Sequence, residues 1–293
     1  MFYLYKTLKY PDSYRDRVTL KFDNLGTFNK QIEMPELPEV AYQKIYVDST
    51  SLHHKIVKVD MGADKIFQSP KSEFEATLLK NEFVSSTQIG KYLLLKLKEK
   101  GYLVVHFGMT GKMDYFQHDE IQKHAQLTLT FEDGGKLSFV CPRKFGKLFL
   151  TTSPDEFRKK QKLGPHATEI SEEDFHNLFD GKRGSVKTAL MDQSFIAGLG
   201  NLYVDEILFQ SGIHPKSKSE NLSDKDLSNM FKNMVAILET VTKSKTEGNP
   251  IPDTYLRNHR NEGEACPIAK GKIKMIKVGG RSTYFCSECQ EEK

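Results

Sequence analysis

The chain has 293 residues, is 38% hydrophobic and 28% charged, and carries a net charge of +4. It is long enough to bury a sizeable core in about two domains, no apolar run nears the ~20 residues of a membrane span, and 4 cysteines are too few for a disulfide scaffold. So small a net charge does not by itself point to nucleic acid. Its distribution is more telling: residues 265–285 hold Lys270, Lys272, Lys274, Lys277 and Arg281 and no acid. Such a stripe suits phosphates and equally suits a solvated hairpin face.

Residues 1–33 are polar with scattered aromatics, and only "VTLKF" reads as a short strand. They contain no secretory h-region, so the cytoplasm is the expected location. Pro35 and Pro38 then open a helix with Leu37, Ala41, Ile45 and Leu52 as its apolar face. Residues 55–152 read as short antiparallel strands. "KYLLLKLKEKGYLVVHF" is two apolar runs about a Lys-Gly turn, and "AQLTLTFEDGGKLSFVC" alternates around Asp133-Gly134-Gly135. Cys141 in this region reads as a buried reduced thiol.

After "LGPHA" the pattern becomes helical. "SVKTALMD" and "NLYVDEILFQSG" flank the turn "QSFIAGLG", with Asn201 as N-cap and Gly212 with Pro215 as the stop. A third helix starts at Ser223 and buries Leu227, Met230, Met234, Ile237 and Val241. The last thirty or so residues form a cysteine-containing β-hairpin with Gly279 and Gly280 near its turn.

Pro35 with Glu36 and Glu39 raises a chemical question. A proline at a chain start is a secondary amine of pKa near ~8. Such an amine can attack a sugar C1′ to give an iminium, with Glu36 as acid or base and Glu39 to orient it. The same residues are also a good helix start and nothing more.

The companion motifs shift the balance toward the first. "MPELPEV", "IGKYLLLKL", "VHFGMTGKM", "CPRKFGKLF", "MDQSFIAGLGNLYVDEILFQSGIHP" and "GGRSTYFCSECQ" follow one another from Met34 to Gln290. Together they resemble the formamidopyrimidine-DNA glycosylase / endonuclease VIII family, on its formamidopyrimidine side. The resemblance implies an α+β fold: an N-terminal antiparallel β-sandwich with a flanking helix, a helix–two-turns–helix domain and a β-hairpin finger. It divides the chain into an extension (residues 1–33), a catalytic domain (34–165), a helical domain (166–262) and the finger (263–293).

The resemblance implies an enzyme that extrudes an oxidised base from duplex DNA, cuts its glycosidic bond and cleaves the abasic strand by β,δ-elimination. Pro35 would be the nucleophile, Glu36 the general acid, Glu39 its support and Lys91 a grip on phosphates. Met109, Arg143 and Phe145 would fill the gap left by the base. Lys144 stands where the family more often has arginine, and would contact phosphate as a point charge. Asn201, Lys187 and Arg281 would be further phosphate contacts. The expected partner is damaged double-stranded DNA, bound by a monomer, with no organic cofactor and no membrane.

Three departures qualify this. The finger of the family usually carries four zinc-binding cysteines. Here Cys266, Cys286 and Cys289 remain, Ala269 replaces one, and His259 is a conceivable substitute, so zinc stays open. Residues 248–264 are short where 8-oxoguanine-recognising members carry a longer loop, which predicts weaker discrimination of 8-oxoguanine. Ring-opened formamidopyrimidines, hydantoins, oxidised pyrimidines and abasic sites stay within reach.

The third departure is the extension, which acylates Pro35. The reading adopted is that Met34 is the initiator and that its removal frees Pro35. The competing readings are proteolytic exposure of Pro35, and a DNA-binding protein without this catalysis. An RNA-binding zinc-ribbon module would leave Glu36 and Lys91 unexplained.

Overall fold

A computed structural model describes residues 35–117 and 122–293. The extension, its short strand and Met34 lie outside the described residues. In chain order the elements are α1 (Leu37–Thr50), β1 (Ile56–Met61), α2 (Lys71–Leu78), β2 (Phe83–Ile89), β3 (Tyr92–Leu97), β4 (Tyr102–His106), β5 (Lys112–Phe116), β6 (Ala125–Phe131), β7 (Lys136–Val140) and β8 (Lys147–Thr151). There follow α3 (Pro154–Lys160), α4 (Glu172–Asn177), α5 (Val186–Met191), α6 (Asn201–Gln210), α7 (Asp224–Glu247), β9 (Ile273–Val278) and β10 (Arg281–Cys286).

Two four-stranded antiparallel sheets, ordered β1-β6-β7-β5 and β2-β3-β4-β8, form a sandwich. Its core takes Leu93 and Leu95 from β3, Leu103 and Val105 from β4, and Leu127, Leu129, Leu137 and Phe139 from the opposite sheet. Leu94 and Val104 point the other way and are buried with Phe157 of α3. That second cover explains why β3 reads as a continuous leucine run, since a strand buried on both faces need not alternate.

The helical unit has its own core, drawn from α4, α5, α6 and α7. Leu227, Met230, Met234, Ile237 and Val241 are all buried in it. Ser223 caps α7 with a capping box, and Gly248 ends it in the left-handed conformation. A third, smaller core joins Phe209 and Leu256 to Cys266, Ile273 and Cys286 of the hairpin β9–β10. Among the described residues, no helix is long and apolar enough to cross a membrane.

α1 differs from its expected pattern. Ile45 is 39% exposed, and the buried stripe is Leu37, Val40, Tyr46 and Val47. Val40 and Val47 lie two turns apart and stack on one side, whereas Ile45 falls on the other. Leu37 belongs to the helical core and Val40 and Val47 to the sandwich core, so α1 is shared between the two units.

Candidate active site

The start of α1 lies against the start of α6. Glu36 is 1% exposed. Its Oε1 accepts the N–H of Leu202 at 3.0 Å and its Oε2 that of Tyr203 at 3.4 Å. These are orphan donors of the first turn of α6, where the helix dipole favours negative charge. Burial nevertheless dominates and raises the pKa of Glu36, with Lys91 and the two N–H groups pulling it back. The carboxyl therefore keeps its proton above the ordinary carboxylate range, as a general acid requires.

This packing needs a glycine. A Cβ on Gly200 would sit 2.3 Å from Oε1 of Glu36 and 2.6 Å from Nζ of Lys91. Two titratable side chains thus converge on one point at the helix start. The main chain adds a tie, from Leu37 N–H to the carbonyl of Gly198 at 3.2 Å.

Lys91 sits in the tight turn between β2 and β3. Burial holds its ammonium below the usual lysine range; Glu36 and Glu39 raise it and Arg281 lowers it further. Arg281, exposed at the start of β10, therefore faces the same space from the finger. His106, opposite Tyr92 on β4, is pushed down to about 4 by burial and by Lys91, and is neutral at physiological pH.

Glu39 braces Glu36. Its Oε2 accepts the backbone N–H of Glu36 at 3.0 Å, and its Oε1 takes the Tyr203 hydroxyl at 2.6 Å and Lys245 at 3.1 Å. Tyr203 thus serves both carboxylates, one through its main chain and one through its side chain. Neither Tyr203 nor Lys245 was picked out by the sequence, where each sits in an unexceptional helical context.

The second group of expected residues also comes together. Met109 lies on the turn after β4, and Arg143, Lys144 and Phe145 on the exposed loop before β8. A Cβ on Gly108 would meet the carbonyl carbon of Phe145 at 2.5 Å and the nitrogen of Gly146 at 2.6 Å, so the two loops touch backbone to backbone. The Arg143 guanidinium lies over the Phe145 ring at 5.2 Å, and Phe145 is 52% exposed. An exposed aromatic held between two tight loops is suited to wedging between bases.

Lys187 is placed differently from its expected role. It is fully buried, with its ammonium 2.5 Å from Asp205 and 2.5 Å from the hydroxyl of Thr283 in the finger. No phosphate can reach it there; it fastens the hairpin to α6. Asp205 also holds Arg260 at 2.8 Å and the N–H of Tyr284 at 3.1 Å. Glu206 accepts the N–H groups of Leu256 and Arg257 at 3.1 and 2.7 Å. Two consecutive acids inside the apolar run "NLYVDEILF" were the available signal, because buried carboxylates demand partners.

Asn201 is the first residue of α6 rather than its cap, which is Gly200. Its amide donates to the carbonyl of Ser282 at 2.9 Å, a further tie between the finger and the helix start.

In the finger, the sulfurs of Cys266, Cys286 and Cys289 lie within 4.8 Å of one another, with Cys266 and Cys289 3.3 Å apart. Three thiols so grouped could hold a zinc ion with one position left over. Ala269 packs against the cluster and offers no ligand. His259 does not substitute, since its two ring nitrogens are held by Glu264 and the carbonyl of Asp253, each at 2.9 Å.

The sandwich, the helix–two-turns–helix and the paired carboxylates between them define a class of DNA glycosylase. Residues 34–148 match the model of the formamidopyrimidine-DNA glycosylase N-terminal domain, and residues 163–250 that of its H2TH domain. The chain belongs to the formamidopyrimidine-DNA glycosylase family, a family of DNA repair glycosylases and abasic-site lyases. It is 32% identical to the formamidopyrimidine-DNA glycosylase of Pelotomaculum thermopropionicum over 276 residues, covering 89% of this chain and 100% of that one. The Mycoplasmopsis pulmonis enzyme is likewise 32% identical, over 282 residues, with 89% and 99% covered. The Lactococcus lactis enzyme bound non-covalently to DNA containing an abasic site superposes with a TM-score of 0.80 at 28% identity, covering 88% of this chain and all of that one.

Proposed function

We propose that this enzyme excises oxidised bases from duplex DNA through the amine of Pro35 and then cleaves the abasic strand. The observation that carries the reading is Glu36: a buried, proton-retaining carboxyl next to Pro35, seated on a helix start and facing Lys91. The amine of Pro35, once free, attacks C1′ while Glu36 protonates the sugar ring oxygen. Glu39 keeps Glu36 in place. Lys91, Arg281 and the start of α6 with Asn201 receive phosphates, with Lys144 as an outer contact. Met109, Arg143 and Phe145 occupy the space of the extruded nucleotide.

In this reading the protein works as a monomer in the cytoplasm, on damaged double-stranded DNA. We divide the chain into residues 34–165, 166–262 and 263–293; the sandwich and the helical unit have cores of their own, and the finger shares its core with Phe209 and Leu256 of the helical unit. A zinc ion in the three-thiol cluster would brace the finger; no step of the reaction depends on it.

Residues 248–264 bear on lesion choice. Arg257 is buried, its N–H on Glu206 and its guanidinium 3.4 Å from the Tyr203 hydroxyl, while Arg260 is held by Asp205. A segment tied down at these points has little length free to fold over a flipped purine. Formamidopyrimidines, hydantoins, oxidised pyrimidines and abasic sites are therefore the favoured substrates, and 8-oxoguanine the weaker one.

Borohydride reduction during reaction with abasic duplex tests the mechanism. Protein starting at Met34, with the methionine removed, is expected to be trapped covalently through Pro35. Absence of that adduct would leave a protein that binds damaged DNA without acting on it.

A further inference from the structure

In the 293-residue chain the nitrogen of Pro35 is bonded to the carbonyl of Met34. It is then an amide, its lone pair delocalised into the carbonyl, and is no nucleophile. The described residues of the site contain another amine. Lys91 Nζ and Glu36 Oε1 approach the same point beside Gly200, at 2.6 and 2.3 Å. Two further lysines lie near these carboxylates: Lys245 is paired with Glu39 at 3.1 Å and Lys187 with Asp205 at 2.5 Å. Lys91 as a residue is half-buried, with its ammonium packed at the helix start.

We propose that the chain retaining residues 1–34 is an abasic-site lyase in which Lys91, in place of Pro35, forms the Schiff base. This rests on the reading of the cleft as the seat of the abasic sugar. The groups facing Lys91 are Glu36, Glu39, Arg281 and His106. Burial and Arg281 favour its neutral amine against the pull of the two carboxylates, while Glu36 keeps its proton. Both shifts run in the direction carbonyl addition needs, toward a free amine on Lys91 and a proton held on Glu36.

The neutral amine adds to the C1′ aldehyde of the open sugar. Glu36 gives its proton to the carbinolamine hydroxyl, water leaves, and a C=N⁺ iminium forms. The Glu36 carboxylate then takes a proton from C2′, and the C3′–O bond breaks to release the 3′-phosphate. Water hydrolyses the remaining imine and returns the lysine. Displacement of a base from a closed sugar is a separate demand and is not assigned to Lys91.

The test uses the full chain, with intact mass showing that residues 1–34 are retained. It is incubated with duplex carrying one abasic site, reduced with borohydride and digested, and mass spectrometry locates the bound sugar. The expected result is an adduct on Lys91. Lys91→Arg, which keeps the charge, is expected to lose the adduct and to nick at least tenfold more slowly at saturating enzyme, where a weaker grip on phosphates does not enter, with the melting curve recorded alongside. No adduct, an adduct on another residue, or undiminished trapping by Lys91→Arg would overturn the proposal. Protein starting at Met34, run in parallel, is read at Pro35. A missing Pro35 adduct there overturns the Pro35 mechanism, whatever the full chain shows at Lys91.

Discussion

The carboxylate of Asp205 and the ammonium of Lys187 meet at 2.5 Å, and neither side chain has any exposed surface. The pair joins two helices of the helical unit and, through Thr283 and Tyr284, carries the finger. Removing one partner of a buried pair leaves the other charge uncompensated, at a cost of about 3–5 kcal/mol. Asp205→Asn should lower stability by that order in chemical denaturation. It should also weaken DNA binding by loosening the strand that presents Arg281. Lys187→Met, which leaves Asp205 its bond to Arg260, should cost less.

Glu36 links activity to stability. Its folded pKa is raised, so above the unfolded value of 4.5 the folded state binds the extra proton. The unfolded state binds fewer, so this group's contribution is greatest below pH 4.5 and is lost as pH rises through the folded pKa. Glu36→Gln should therefore unfold at the same denaturant concentration as the parent near pH 4 and at a higher one near pH 8. Single-turnover base excision should fall about 10²–10⁴-fold, the usual worth of a general acid.

Gly200 gives a steric test. Its φ of −135° and ψ of −166° suit any residue, so Gly200→Ala strains no backbone. The added methyl falls on Glu36 and Lys91. Excision should drop at least about tenfold, since small misplacements of reacting groups are costly. Circular dichroism should be unchanged.

Phe145 is exposed, so Phe145→Ala should leave stability within about 0.5 kcal/mol. Loss of a base-stacking aromatic is worth about 1–3 kcal/mol. Affinity for abasic duplex should fall accordingly, and affinity for undamaged duplex much less. Paired titrations at one salt concentration would show whether the two constants separate.

The finger cluster invites completion. Ala269→Cys would place a fourth thiol on the side of the cluster where Ala269 packs. Zinc should then bind more tightly in competition with a chelator, and chelation should destabilise this variant more than the parent. Equal zinc affinity would show that position 269 does not face the metal.

Most of the fold was legible because local pattern and burial agree. The Asp133-Gly134-Gly135 turn, the Ser223 cap and the apolar stripe of α7 needed no tertiary information. α1 was misjudged at Ile45 because it has two partners, one on each side, and a single apolar face is the wrong template. At the candidate site, the placement of Glu36 beside Glu39 at the start of α1 was legible from the Pro-Glu pattern, while its seat on the start of α6 was not. Lys187 was misplaced because a lysine in sequence looks exposed; only Asp205, eighteen positions on, reveals it as half of an internal pair. Tyr203 escaped notice because its value lies in being hydrogen-bonded from both ends.

The shared allegiance of α1 has a mechanical meaning. Leu37 is anchored on one side of the cleft and Val40 and Val47 on the other, with Pro35 two residues before Leu37. A swing of one body against the other would load that first turn. On the proposed mechanism, duplex bound across the two units would press on the residues that flank Pro35, so seating of the lesion and alignment of its amine would become a single event.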